Sequence, residues 1–256
     1  MARTAFAIAA HPDDIEFLMA GTMLHLAERG FELHYMTVAN GCCGSTVTDR
    51  ETTARIRRQE SEQAAAAMGA IHHAPLCDDL GIFYEPRTLA RLASVVRAVA
   101  PEIVLTHAPV DYMEDHVNTC RLAVTAAFAR GMPNFSVDPP AAAIADPVAL
   151  YHAQPYSHRT PLGEVVLPTI WVDTSSVIDR KAELLALHAS QKAWLDTSQG
   201  QDSYLETLRS LDRELGAWSN AFAYAEGWRQ HASIGFGPAD WDPLSTALGD
   251  LARRKP

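Results

Sequence analysis

Short apolar runs alternate with longer helix-patterned segments through the first two-thirds of this 256-residue chain, and no other feature restricts its fold so far. A short run buried on both faces reads as a parallel strand, and a parallel neighbour is reached only through a crossover, usually a helix. The alternation therefore predicts an α/β fold, Rossmann-like, with a mostly parallel sheet sandwiched between helices. The runs "TAFAIAA" (4–10), "FELHYMTVAN" (31–40), a weaker one near 70–76 and "PEIVLTHAP" (101–109) supply strands. Helices are expected from about 12 to 29, ended by Gly30, and from Thr48, with Glu51 at capping-box spacing. Two more are expected over 86–100 and 115–131.

From 132 to 168 the chain changes character. Pro133, Pro139, Pro140, Pro147, Pro155, Pro161 and Pro168 break it into loops around one short strand, "PVALYHAQ". The aromatics and histidines of this stretch suit the wall of a pocket. "TIWVDTS" (169–175) reads as the last strand, and 176 to about 194 and 203–225 read as a helical C-terminal part. The expectation is a single domain over 1–256, with a motif-bearing core (1–131) and pocket-wall loops, last strand and C-terminal helices (132–256). The C-terminal aromatics, among them Trp194, Tyr204 and Trp218, could also form a subunit interface, so a homo-oligomer is among the expectations.

Composition removes several classes of partner. With 31 acidic against 21 basic side chains the net charge is −10, so no phosphate-binding face, and no nucleic acid, is expected. No apolar run approaches the roughly 20 residues that span a bilayer, and the N-terminal run is too short for a signal peptide. Cys42, Cys43, Cys77 and Cys120 form no CxxC pair, which suits free thiols in a reducing compartment. A cytoplasmic protein acting on a small molecule is the resulting expectation.

Chemistry concentrates where two of the strands end. In "AHPDDIE", His11 and Asp14 are three apart at a strand-to-helix junction, so the first helical turn would bring both to one side, where they could share a metal ion. Ligands of open α/β sheets gather at such strand ends. The second junction, "VLTHAPVDYMEDHVNT", offers a third ligand, either His116 or His107. Asp115 could orient a histidine or cap its helix. Glu51 either closes its capping box or brings a carboxylate toward the site. Glu16 reads as a charge complementing the helix start.

"AHPDDIE" after a strand, then the Arg-bearing helix "IRRQESEQAAAAMGA", then "DYMEDH" resembles the PIG-L, or LmbE-like, family of zinc-dependent de-N-acetylases. The match of order and spacing spans about residues 4–130, with "HASQ" (188–191) and "YAEGW" (224–228) fitting only loosely. The resemblance implies one zinc ion, or another divalent metal, held by His11, Asp14 and His116. It also implies Asp13 as general base and Arg57 in contact with substrate. The physical chemistry agrees: zinc acidifies a water and polarises a carbonyl, and a carboxylate that is not a ligand can take the proton.

One departure stands out. Many members of the family carry His-Pro-Asp-His where this chain has Met113, Glu114, Asp115 and His116, and that first His helps to stabilise an oxyanion or protonate a leaving amine. Met113 can do neither, so another donor must serve, with His152, His158, His107 and Tyr112 as candidates and His152 preferred. The expected function is zinc-dependent hydrolysis of an N-acyl group on an amino-sugar-like metabolite. The alternative is a zinc-dependent hydratase of an unsaturated oxo-carboxylic acid on the same fold. A non-catalytic metal-stabilised binding module comes last, because a structural zinc normally has four protein ligands.

Overall fold

In a computed structural model of the chain, residues 3–191 and 204–255 are described. Eight strands form one sheet: β1 (Thr4–Ala9), β2 (Glu32–Thr37), β3 (Ala70–His73), β4 (Ile103–Thr106), β5 (Ala149–Ala153), β6 (Ile170–Asp173), β7 (Ala225–Gln230) and β8 (Ala252–Arg254). Their order across the sheet is β3-β2-β1-β4-β5-β7-β6-β8. The strands from β1 to β5 pair in parallel, as the alternation predicts. β7, β6 and β8 extend the sheet with antiparallel pairings, so the expected last strand, β6, has two strands beside it that were expected to be helix or loop.

Every residue of β1 is buried, and its side chains divide strictly by parity. Ala5, Ala7 and Ala9 pack with Ile15, Met19, Met23 and Leu26 on one face, while Phe6, Ile8 and Ala10 pack with Leu92, Val96, Leu122 and Ala126 on the other. This is the period-two signature of a central strand covered on both sides. The first face is covered by α1 (Asp14–Leu18), α2 (Ala20–Glu28) and the end of α3 (Arg50–Met68), the second by α4 (Pro86–Val99) and α5 (Glu114–Ala129). α6 (Ile178–Ala186), α7 (Tyr204–Ser219) and α8 (Pro243–Leu248) complete the described helices. No described helix is long and apolar enough to cross a membrane.

Three local expectations are corrected. The helix expected over 12–29 is two helices, interrupted at Met19, because the buried Glu226 carboxylate accepts hydrogen bonds from Gly21 N (2.7 Å) and Thr22 N (2.8 Å) and so caps a fresh helix start. Gly30 does close that segment, at φ 81°. The N-cap of α3 is Asp49 rather than Thr48, its side chain accepting from Thr52 N at 2.8 Å, so Glu51 closes no capping box with Thr48. The helix expected over 176–194 runs only from Ile178 to Ala186 before a turn, and its far end, with Trp194, lies outside the described residues.

Candidate metal centre and active-site cavity

The chain leaves β1 toward β2 and β3 on one side and returns to β4 and β5 on the other. The carboxyl ends of β1 and β4 thus flank the point where the strand order reverses, the usual ligand site of an open parallel sheet. His11, Asp13 and Asp14 follow β1 there, and Asp111 to His116 follow β4. One cavity of about 310 Å³ opens over this point, lined among others by His11, Asp13, Asp14, Arg57, Tyr112, Met113, His116 and Tyr204.

His11, Asp14 and His116 each offer a ligand atom within 4.8 Å of the others. Both imidazoles are held from behind. Asp115 Oδ2 lies 2.9 Å from His11 Nε2 and also accepts from Leu80 N at 2.7 Å. Asp111 Oδ1 lies 3.0 Å from His116 Nδ1, which leaves His116 Nε2 facing Asp14 Oδ1 at 3.4 Å. Carboxylates on the outer nitrogens fix ring orientation and basicity in metal sites, and a histidine pair plus one carboxylate is a donor set that suits zinc with a coordination position left open. Asp115 therefore bonds to the histidine of the other junction rather than to its sequence neighbour, and Asp111, to which sequence reasoning gave no role, bonds to His116.

Of the two candidates for the third ligand, His107 is already engaged: its Nε2 accepts from Ala10 N at 2.9 Å, and its ring stacks on His116 at 4.1 Å. Burial keeps it neutral by lowering its pKa. The remaining cluster is strongly polarised. Burial opposes charge on His116 and His11, but Asp14 and Asp111 carry the former up to about 10, and Asp115 and Asp14 carry the latter up to about 9. Burial would raise Asp14, yet the facing histidines hold its carboxyl well below the usual range.

Asp13 stands beside this trio without belonging to it. It adopts φ 97°, a left-handed conformation. Its Oδ2 accepts from Tyr204 OH at 2.5 Å, and its Oδ1 meets Arg57 Nη2 at 3.4 Å. Burial pushes its carboxyl up to about 6 against the pull of the Arg57 guanidinium. Arg57, 3 % exposed, also donates to Pro12 O at 2.5 Å and Gly41 O at 3.3 Å, so its reach toward the cavity ends on Asp13 and the backbone around it.

Two expected site residues lie elsewhere. Glu51 is exposed on the first turn of α3, outside the cavity lining. His152 lies in β5, paired with Thr106 at the end of β4, and is not among the residues that line the cavity. Its Nδ1 is 2.9 Å from His107 O and its Nε2 is 2.9 Å from His231 Nδ1, so both nitrogens are already bonded. His158 likewise donates to Leu211 O, at 3.1 Å. Of the four candidate donors only Tyr112 lines the cavity, its ring edge-on to His116 at 5.7 Å.

Glu16 is corrected as well. Far from being a solvated helix-start charge, it is 0 % exposed, accepts from Tyr35 OH at 3.1 Å and lies 3.2 Å from His188 Nε2. His188 and the cavity-lining Gln191 both come from "HASQ", a stretch the sequence marked only loosely.

A reversal point of a parallel sheet that presents a histidine-aspartate-histidine trio and a separate carboxylate in one cavity defines a candidate metal-dependent enzyme. Residues 6–127 match the sequence profile of PIG-L, described as GlcNAc-PI de-N-acetylase. The chain is 27% identical over 234 residues to the diacetylchitobiose deacetylase of Thermococcus kodakarensis, covering 87% of this chain and 80% of that protein. It is also 27% identical over 198 residues to the 4-oxalmesaconate hydratase of Pseudomonas putida, covering 74% of each. Its fold matches that of GalB, the 4-carboxy-2-hydroxymuconate hydratase of Pseudomonas putida, with a TM-score of 0.76 at 23% identity, covering 94% of this chain and 99% of that one. Residues 6–127 thus carry a PIG-L domain, and the similarity to a deacetylase supports a hydrolase role for this enzyme.

Proposed function

We propose that this enzyme is a zinc-dependent de-N-acylase that removes an acetyl-type group from a small amino-sugar-like metabolite. The observation that carries the reading is the separation of Asp13 from the trio: it shares their cavity but is held by Tyr204 and Arg57. His11, Asp14 and His116 would hold the cation, with Asp111 and Asp115 fixing the rings. Zinc held there supplies Lewis acidity toward the amide carbonyl and acidifies the attacking water.

Asp13 accepts the proton of that water. Oδ2 is engaged by Tyr204, so Oδ1, whose contact with Arg57 is long, is the oxygen that takes it. A carboxyl near 6 can then return the proton to the departing amine, since general acid–base catalysis works best when the group's pKa lies near the working pH. Tyr112 takes over from His152 as the donor to the developing oxyanion, and Arg57 acts through Asp13. The four free thiols suit the reducing cytoplasm that this reading assumes.

The test is Asp13→Asn on zinc-loaded enzyme with acylated amino sugars. Metal content should stay unchanged while amine release falls by about 10²–10⁴-fold, the usual contribution of a general base; unchanged turnover would overturn the assignment. Hydration of an unsaturated oxo-acid is the second reading, favoured by the apolar Met113 in the cavity wall. A substrate screen that finds no amine release but loss of conjugated-alkene absorbance would select it.

A further inference from the structure

One motif is left unused by this chemistry: the "GCCG" turn after β2. Gly44 N donates to Gly41 O at 3.1 Å, closing a turn with Cys42 and Cys43 at its two central positions. Their sulfurs lie 3.9 Å apart. Asp79 stands against the same turn, Oδ1 accepting from Gly41 N at 2.6 Å and Oδ2 from Cys43 N at 2.8 Å, so its carboxylate is fixed in place by backbone donors. The two sulfurs and one Asp79 oxygen lie within 4.8 Å of one another, and Cys43 and Asp79 line the active-site cavity.

We propose that Cys42, Cys43 and Asp79 form a second cation site, for a thiophilic divalent ion of the zinc and cadmium class, on the wall of the active-site cavity. Two sulfurs bound at about 2.3 Å in a tetrahedral arrangement are separated by roughly 3.8 Å, so the observed spacing is already the bite of such an ion. The pair also needs little rearrangement to be used, because the turn is locked on both sides. Gly41 has φ 77°, and a Cβ there would lie 2.7 Å from Arg57 Cδ; a Cβ at Gly44 would collide with the Arg57 guanidinium. The turn is therefore seated on the arginine that reaches Asp13.

Binding is a proton-for-metal exchange. Each thiol releases its proton to solvent as its sulfur–metal bond forms, the Asp79 carboxylate contributes an oxygen, and the fourth position is left to water or to a group in the cavity. Sulfur ligands select this class of ion over magnesium or calcium. The site is distinct in chemistry from the His11, Asp14 and His116 trio, which contains no sulfur.

That difference supplies the test, which does not depend on what reaction the enzyme performs. The full chain is titrated with Cd²⁺ while metal bound per chain is measured by equilibrium dialysis and the ultraviolet thiolate-to-cadmium charge-transfer band is followed. Wild-type protein should show the band and bind one more ion per chain than Cys42→Ser/Cys43→Ser, which should show no band. The His11→Ala variant should keep the band, as should Cys77→Ser/Cys120→Ser. Absence of the band in wild type, or its survival in the Cys42/Cys43 double variant, would overturn the proposal. Should the double variant fold poorly by circular dichroism, Cys43→Ser alone, at an exposed position, must lose most of the band.

Discussion

Tyr204, at the start of α7, donates its phenolic hydrogen to Asp13, the residue before α1, a hydrogen bond that closes 191 residues of chain. It is a charge-assisted bond in a buried setting, a type that contributes about 1.5–3 kcal/mol. The Tyr204→Phe variant should therefore retain its metal while kcat falls by about tenfold or more, corresponding to the lower end of that range. Its acid limb should also move to higher pH, because the lost bond favoured the carboxylate. A pH–rate profile of metal-loaded variant and wild type checks both.

Asp111 and Asp115 are expected to act on affinity rather than on chemistry. Each holds the outer nitrogen of one histidine, so Asp111→Asn and Asp115→Asn should each weaken metal binding about 10–100-fold. Competition with a chelator of known affinity reads this directly. A loss of turnover that excess metal does not restore would count against the positioning role.

Acid stability should bear the mark of His152. Burial lowers its pKa from 6.5 to about 4, so the folded chain holds it neutral while the unfolded chain protonates it. Stability from this group is complete above pH 6.5, is lost as pH falls from 6.5 toward 4, and amounts to about 3 kcal/mol in total. Urea unfolding across that window should show a steeper loss for wild type than for His152→Asn.

Lys181 is completely buried, with its ammonium 2.8 Å from Asp212 Oδ2 and 2.9 Å from Glu226 Oε1. Glu226 is also the cap of α2, so the ion cluster ties α6, α7, β7 and the helix behind the HPDD segment together. Lys181→Met leaves two buried carboxylates without their counter-charge and should cost about 3–5 kcal/mol of unfolding free energy. Denaturant titration measures it.

The sequence made some of this legible and hid the rest for identifiable reasons. His11, Asp13, Asp14 and His116 sit within a few residues of buried strand ends, and local spacing alone points them at a shared site. Tyr204 and Gln191 reach the same place only through the packing of segments far along the chain, for which no local pattern exists. Glu16 is hidden because a glutamate in a first helical turn is ordinarily solvated, and nothing nearby in sequence announces that Tyr35 and His188 enclose it. His152 differs: strand periodicity gives the face of a side chain but not that His107 O and His231, distant in sequence, already occupy both of its nitrogens. β7 and β8 are short segments whose pairing depends on β6 and β5, so their sheet character is tertiary rather than local.

The left-handed backbone of Asp13 ties the fold to the proposed chemistry. A side chain at φ 97° carries a conformational penalty that glycine would not, of order 1–3 kcal/mol. What offsets it is the Tyr204 hydrogen bond and the Arg57 ion pair, both made by the carboxylate that the proposed reaction needs. Asp13→Gly would relieve the backbone and forfeit both contacts, leaving a buried phenol and guanidinium without their acceptor. The strained position is thus kept in place by the same partners that aim its carboxylate.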